Sequence, residues 1–141
     1  MNDENTQKLF HDFPSFFRGR NDPQKSLMGF GFCCGNGWFN LIYKLCQDIQ
    51  KCIKFSNRPD NLDDFEVEQV KEKFGGLRFY VGPAIKPVHD LIAKAEGESY
   101  KICEVCGESG ELVSVAGYYT TRCPTHIKEL EEKRNEKAFK C

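Results

Sequence analysis

The sequence predicts an α+β fold: a small core with an amphipathic helix and a β-hairpin, then a compact C-terminal module. Three observations predict it. Residues 37–54 carry Trp38, Leu41, Ile42, Leu45, Ile49, Cys52 and Ile53 at helical spacing, one apolar stripe on one helix. Residues 65–81 alternate apolar and polar side chains on either side of Gly75-Gly76, as two antiparallel strands around a tight turn do. Cys103, Cys106, Cys123 and His126 follow the spacing C-x2-C-x16-C-x2-H, two ligand-type pairs with a strand-like stretch between them. The expected division is a core over residues 1–100 and a module over residues 101–141 docked on it.

The elements follow in chain order. A short helix is expected over residues 4–12, capped by Asn2 or Asp3. Phe10, Phe13, Phe16 and Phe17 crowd its end; they are expected to pack on the core, with an exposed partner-binding patch as the alternative. Residues 18–26 read as a polar loop holding Arg18, Arg20 and Lys25. Ser26 to Cys33 is apolar but contains Gly29 and Gly31, which suggests a strand with a close backbone approach. Gly35-Asn36-Gly37 turns the chain, and Asn36 is placed to cap the amphipathic helix. Asn57 to Asp64 reads as a polar loop broken by Pro59. In the hairpin the apolar phase slips between Val67 and Val70, which predicts a bulge. Pro83 and Pro87 bracket the start of a helix that runs to Ser99, with Val88, Leu91, Ile92 and Ala95 on one face. In the module, residues 111–115 and 117–122 read as strands, with Ala116-Gly117 near the turn. Pro124 suits the first turn of a helix reaching Phe139, on which Ile127, Leu130 and Arg134 share a face.

Charge and hydropathy narrow the function classes. In 141 residues, 20 basic side chains meet 21 acidic ones, a net charge of -1 that weighs against a strongly basic nucleic-acid binder. No apolar run approaches the roughly 20 residues that a bilayer crossing needs. The polar N-terminus does not read as a secretory signal. A cytosolic location is therefore expected, and reducing conditions there leave the 8 cysteines without disulfides.

Three of those cysteines and one histidine form the metal-ligand pattern. Zinc takes four Cys or His ligands in a tetrahedron, and ligands two residues apart reach one ion from a single turn. Gly107 follows the second cysteine, where the chain must reverse. A redox C-x2-C is the competitor, but it would leave Cys123 and His126 without a role. Knuckle, hairpin and a helix bearing the second ligand pair resemble the treble-clef arrangement of zinc fingers over residues 101–139. Cys33, Cys34, Cys46, Cys52 and Cys141 lack ligand spacing and read as small buried hydrophobes, with Cys33-Cys34 as the alternative reactive or metal-binding pair.

No catalytic constellation emerges. Four protein ligands leave no open position for a zinc-bound water. The second hairpin carries no histidine to serve as a base, and no HxE arrangement of the deaminase type is present. Cys33 or Cys34 with His89 would make a thiolate pair, but nothing in the sequence places them together. Phosphate-binding glycine motifs are lacking as well.

Three stretches carry a family resemblance: CGNGWFNLIYKLCQDI at 34–49, QVKEKFGGLRFYV at 69–81, and the CEVCG and CPTH segments. Together they resemble a group of small zinc-binding proteins of bacteriophages and prophages, over about residues 28–127. The resemblance implies one structural Zn2+ at Cys103, Cys106, Cys123 and His126 and a place in the bacterial host cytosol. By genomic analogy it implies action through binding a host protein or ribonucleoprotein, as an inhibitor of an antiphage defence system such as a CRISPR effector would. The alternative is a nucleic-acid-binding zinc-finger protein that uses Arg18, Arg20, Lys71, Lys73, Arg78 and Tyr80.

Overall fold

The computed structural model describes residues 1–56 and 64–139, so the expected loop at 57–63 lies outside the described residues. The fold is α+β. Helices α1 (Asp3–Asp12), α2 (Phe39–Lys54), α3 (Lys86–Ser99) and α4 (Pro124–Phe139) accompany strands β1 (Phe32–Cys33), β2 (Val67–Lys73), β3 (Gly76–Val81), β4 (Glu111–Val115) and β5 (Tyr118–Arg122). The strands form two sheets, β1-β2-β3 and β4-β5.

Helix α1 starts where Asn2 caps it, its side-chain oxygen accepting from the Asn5 N–H at 2.8 Å. At the other end the Tyr43 hydroxyl donates to Asp12 at 2.6 Å and ties α1 to α2. That bond, with those from His11 and Lys8, holds the Asp12 carboxyl well below the usual carboxylate range. The phenylalanines after α1 turn inward. Phe13, Phe16 and Phe17 are buried, and Phe16 meets Phe65 edge-on at 4.8 Å while Phe17 meets Phe32 at 5.3 Å. These three rings therefore belong to the core, as expected, while Phe10 is half-buried against it. The loop after them is also tied down. Arg18 donates to the carbonyls of Ser15, Asp64 and Phe65, and Arg20 donates to Phe17 O and lies 5.1 Å from the Phe10 ring.

Two local expectations change. Ser26 to Cys33 is not one strand: Met28–Phe30 forms a 3-10 turn, Gly31 reverses the chain at φ 73°, and only Phe32–Cys33 joins the sheet. A residue with positive φ between two short pieces is a position glycine fills at no steric cost. Asn36 does not cap α2. It belongs to a 3-10 turn at Asn36–Trp38, and its side-chain oxygen accepts from the Asn2 N–H at 2.8 Å. The amphipathic helix then runs as its spacing predicts, burying Leu41, Ile42, Leu45, Cys46, Ile49 and Ile53.

β1 pairs with β2 in parallel, and β2 pairs with β3 antiparallel, with a register shift between Val67 and Gln69 where the apolar phase slips. Val67, Val70, Leu77 and Phe79 turn one sheet face into the same apolar cluster as α2, Val88 and Ile92. Helix α3, with Pro87 in its first turn, lies along the outer edge of β3. There the Ser99 hydroxyl accepts from the Leu77 N–H at 2.9 Å, and Glu96 accepts from the Phe79 N–H at 3.1 Å.

Candidate metal centre

The module begins directly after α3. Cys103 and Cys106 occupy a turn in which the Gly107 N–H donates to Cys103 O at 2.9 Å and Gly107 takes φ 83°. β4 and β5 pair from Glu111↔Arg122 to Val115↔Tyr118 and return the chain to Cys123. Pro124 opens α4, a position where its missing N–H costs nothing. The Ile127 N–H donates to Cys123 O at 3.0 Å, so His126 sits on the first turn of the helix. The order is knuckle, hairpin, helix, the treble-clef-like arrangement. Further along α4, the Arg134 guanidinium lies 4.9 Å from the Tyr118 ring and ties the helix back to the hairpin.

These elements bring the four sequence-predicted ligands together. The donor atoms of Cys103, Cys106, Cys123 and His126 all lie within 4.8 Å of one another, and this cluster could hold a metal ion. His126 presents Nδ1 to the sulfurs, 3.5 Å from Cys103 and 3.1 Å from Cys123. Its other nitrogen, Nε2, is 3.9 Å from the Glu129 carboxylate one helical turn on, longer than a hydrogen bond.

The electrostatics suit a cation. Burial works against ionising Cys103, but hydrogen bonds from the backbone at Cys123, Cys106 and Val105 outweigh it and bring the thiol down to about 6. At Cys106 the Glu108 backbone lowers the thiol, while burial and the neighbouring Cys103 and Cys123 sulfurs raise it further, so the net shift is upward. Three sulfurs this close repel one another as thiolates, and a positive ion among them removes the repulsion.

The module rests on the glycines that precede α2. The Gly37 N–H donates to Glu104 O at 2.7 Å, and the Gly35 N–H donates to the Glu104 carboxylate at 3.0 Å. A Cβ on Gly37 would lie 2.0 Å from Cys103 O, and one on Gly35 would lie 2.3 Å from Glu104 O. Trp38 Nε1 donates to Ile102 O at 2.9 Å. A second contact joins the two hairpins, where the Thr121 hydroxyl donates to Gly75 O at 2.6 Å. Sequence reasoning took Gly35 and Gly37 as turn residues and missed that they seat the knuckle. The signal was the adjacency of two glycines to a tryptophan.

Among the described residues the other cysteines join no metal-ligand cluster. Cys33 is exposed and Cys52 half-buried, so only Cys34 and Cys46 are the buried small hydrophobes expected, and Cys141 lies outside the described residues. Cys34 is buried, and burial pushes its thiol up to about 12, which disfavours a thiolate there. Cys46 is fully buried and its thiol is raised for the same reason. Among the described residues, no hydrogen bond or ion pair links His89 to Cys33 or Cys34, and no second cluster of metal-ligating side chains accompanies them. No helix among the described residues is long and apolar enough to cross a membrane. Compared with family models, with curated proteins and with solved structures, the chain shows no match.

Proposed function

We propose that Cys103, Cys106, Cys123 and His126 hold one structural Zn2+, and that the chain is a non-enzymatic protein that works by binding a macromolecular partner. The spacing of the donor atoms carries this reading. Zn–S bonds of about 2.3 Å and Zn–N bonds of about 2.0–2.1 Å in a tetrahedron place sulfurs about 3.8 Å apart and S···N pairs about 3.6 Å apart. Cys106 and Cys123 stand 3.8 Å apart and Cys103 and His126 3.5 Å apart, near these values, while Cys123 and His126 are closer at 3.1 Å and the whole set lies within 4.8 Å. Four protein donors fill the coordination shell, so the ion supplies folding free energy and not a reactive water.

The partner follows from the resemblance to phage and prophage proteins: a host protein or ribonucleoprotein in the bacterial cytosol, bound so as to inhibit an antiphage defence complex such as a CRISPR effector. Direct nucleic-acid binding is the second reading. It is favoured by one observation, that Lys71, Lys73, Arg78 and Tyr80 fall on a single sheet face. Arg18 and Arg20 drop out of it, since they belong to the 3-10 turn Arg18–Asn21 and not to the sheet. Arg78 stays on the face, although one of its nitrogens donates to Leu77 O at 2.9 Å.

Elemental analysis of the purified chain is expected to give one zinc per molecule, and Cys106→Ser to lose it and unfold residues 101–126. A Cys106→Ser protein that stays folded in the module without metal would sink the structural role.

A further inference from the structure

We infer that the open face of the β1-β2-β3 sheet is a platform for single-stranded nucleic acid. The inference rests on the second reading above, direct nucleic-acid binding, and it names the surface and the form of nucleic acid that surface takes.

The register defines the face. The pairs Gln69↔Tyr80, Lys71↔Arg78 and Lys73↔Gly76 alternate with Val70↔Phe79 and Glu72↔Leu77. Val70, Leu77 and Phe79 are buried, so the first set of pairs points away from the core. That side therefore presents three cations and Tyr80, which is 40% exposed. The exposed Glu68 of the bulge stands at its far end, its carboxylate 3.5 Å from where a Cβ on Gly82 would lie. Tyr100 adds a second ring. A Cβ on Gly76 would lie 2.3 Å from the Tyr100 ring, so the glycine makes room for it, and Arg78 Nη2 donates to the Tyr100 hydroxyl at 3.3 Å.

A third ring stands at the hairpin turn. Phe74 is 67% exposed and sits at φ 52°, a backbone region that bulky side chains disfavour. Glu72 stabilises that turn by accepting from the Gly75 N–H at 2.7 Å. The Lys73 ammonium lies 5.8 Å from the Phe74 ring.

Charge decides the partner. Lys8, Lys44, Lys86 and Lys94 on the helices each face an acid one turn away. Among the described residues no ion pair engages Lys71, Lys73 or Arg78. Glu96 acts on Arg78 electrostatically, but its carboxylate accepts from the Phe79 N–H. Lys71 and Lys73 thus stand without ion pairs beside Tyr80 and Phe74, while Arg78, whose nitrogens donate to Leu77 O and the Tyr100 hydroxyl, holds its charge in place between them. Phosphates answer the cations, and unpaired bases answer the rings, a combination that single strands offer and duplexes or acidic peptides do not. A strand of six residues such as β3 spans about 20 Å, and sheets of this kind stack about two or three bases.

Fluorescence anisotropy of the full chain with a labelled oligothymidine 12-mer, at stepped salt, tests this. Binding is expected, with a log K against log salt slope of roughly -2, because each neutralised phosphate of a single strand contributes about -0.7. The same sequence as a duplex and a polyglutamate peptide are each expected to bind at least about tenfold more weakly, for want of accessible bases. Tyr80→Ala is expected to lose about tenfold in affinity at unchanged slope, since stacking is indifferent to salt. Lys71→Gln is expected to flatten the slope by about 0.7. Arg78→Lys keeps the charge and is expected to keep the slope, which separates electrostatics from any disturbance at Tyr100. Absence of binding overturns the inference. So does equal binding by the Lys71→Gln/Tyr80→Ala chain, or equal competition by polyglutamate, with circular dichroism confirming the fold. Zinc content read on the same samples keeps the two readings apart. A folded, zinc-loaded chain that ignores the oligonucleotide overturns the platform alone, whereas a zinc-free folded module overturns only the metal's role.

Discussion

Trp38 connects the two parts of the chain through a single atom. Its ring is fully buried, and its indole N–H reaches Ile102 O, the carbonyl just before the first ligand cysteine. Trp38→Ala is expected to lower stability by roughly 3–5 kcal/mol in denaturant unfolding. An unchanged midpoint would contradict its place in the core. The tryptophan's burial was legible because helical periodicity reports which side of a helix faces inward. Its partner was not, since the contact spans 64 positions and periodicity says nothing about what the inward side meets. The same limit hid the engagement of Arg18 and Arg20. As letters they read as a basic loop, and only the fold supplies the carbonyls that absorb them. The clustering of Cys103, Cys106, Cys123 and His126 was legible, because metal-ligand chemistry constrains both residue type and spacing within a few positions.

At the scale of elements, the knuckle and the Gly35–Trp38 turn behave as one joint. Gly37→Ala would drive a methyl group into the Cys103 carbonyl at 2.0 Å, which requires the knuckle to shift. The expected cost is about 2–3 kcal/mol, typical of overpacking a tight contact, together with faster metal loss to a chelator. Gly97→Ala serves as the control. Its Cβ meets nothing within 4 Å in the last turn of α3, so it is expected to stabilise by about 0.5 kcal/mol, chiefly by restricting the unfolded chain. Thermal melts of the two variants check both signs, and a Gly37→Ala chain as stable as the parent would dissolve the joint. Among the elements, the bulge was readable because a slip in apolar phase has one structural meaning. The segment before β1 was not. Two glycines in an apolar run fit either a strand with a close approach or a reversal, and the φ of Gly31 decides for the reversal.

For the molecule as a whole, the proposed metal clamp and the apolar core would be distinct sources of stability. The core cluster runs from Leu9 to Ala95 and includes no metal ligand. Chelation is therefore expected to release amide protection across residues 102–126 while Ile42 and Ile49 in α2 stay protected, as hydrogen exchange would show. Simultaneous loss of both would mean that the ion holds the entire fold. The α+β class was legible from pattern alone. How the module sits was not, because docking depends on glycines whose only signature is the side chain they lack.

The outer edge of β3 has one more consequence. An exposed strand edge invites another chain to add itself by backbone pairing, and runs of such additions build fibres. Here the outward N–H groups of Leu77 and Phe79 are already occupied by Ser99 and Glu96. This side of the sheet offers no template for stacking copies of the chain end on end. A concentrated solution has one fewer route to aggregation, and a peptide seeking to extend the sheet there finds its donors taken.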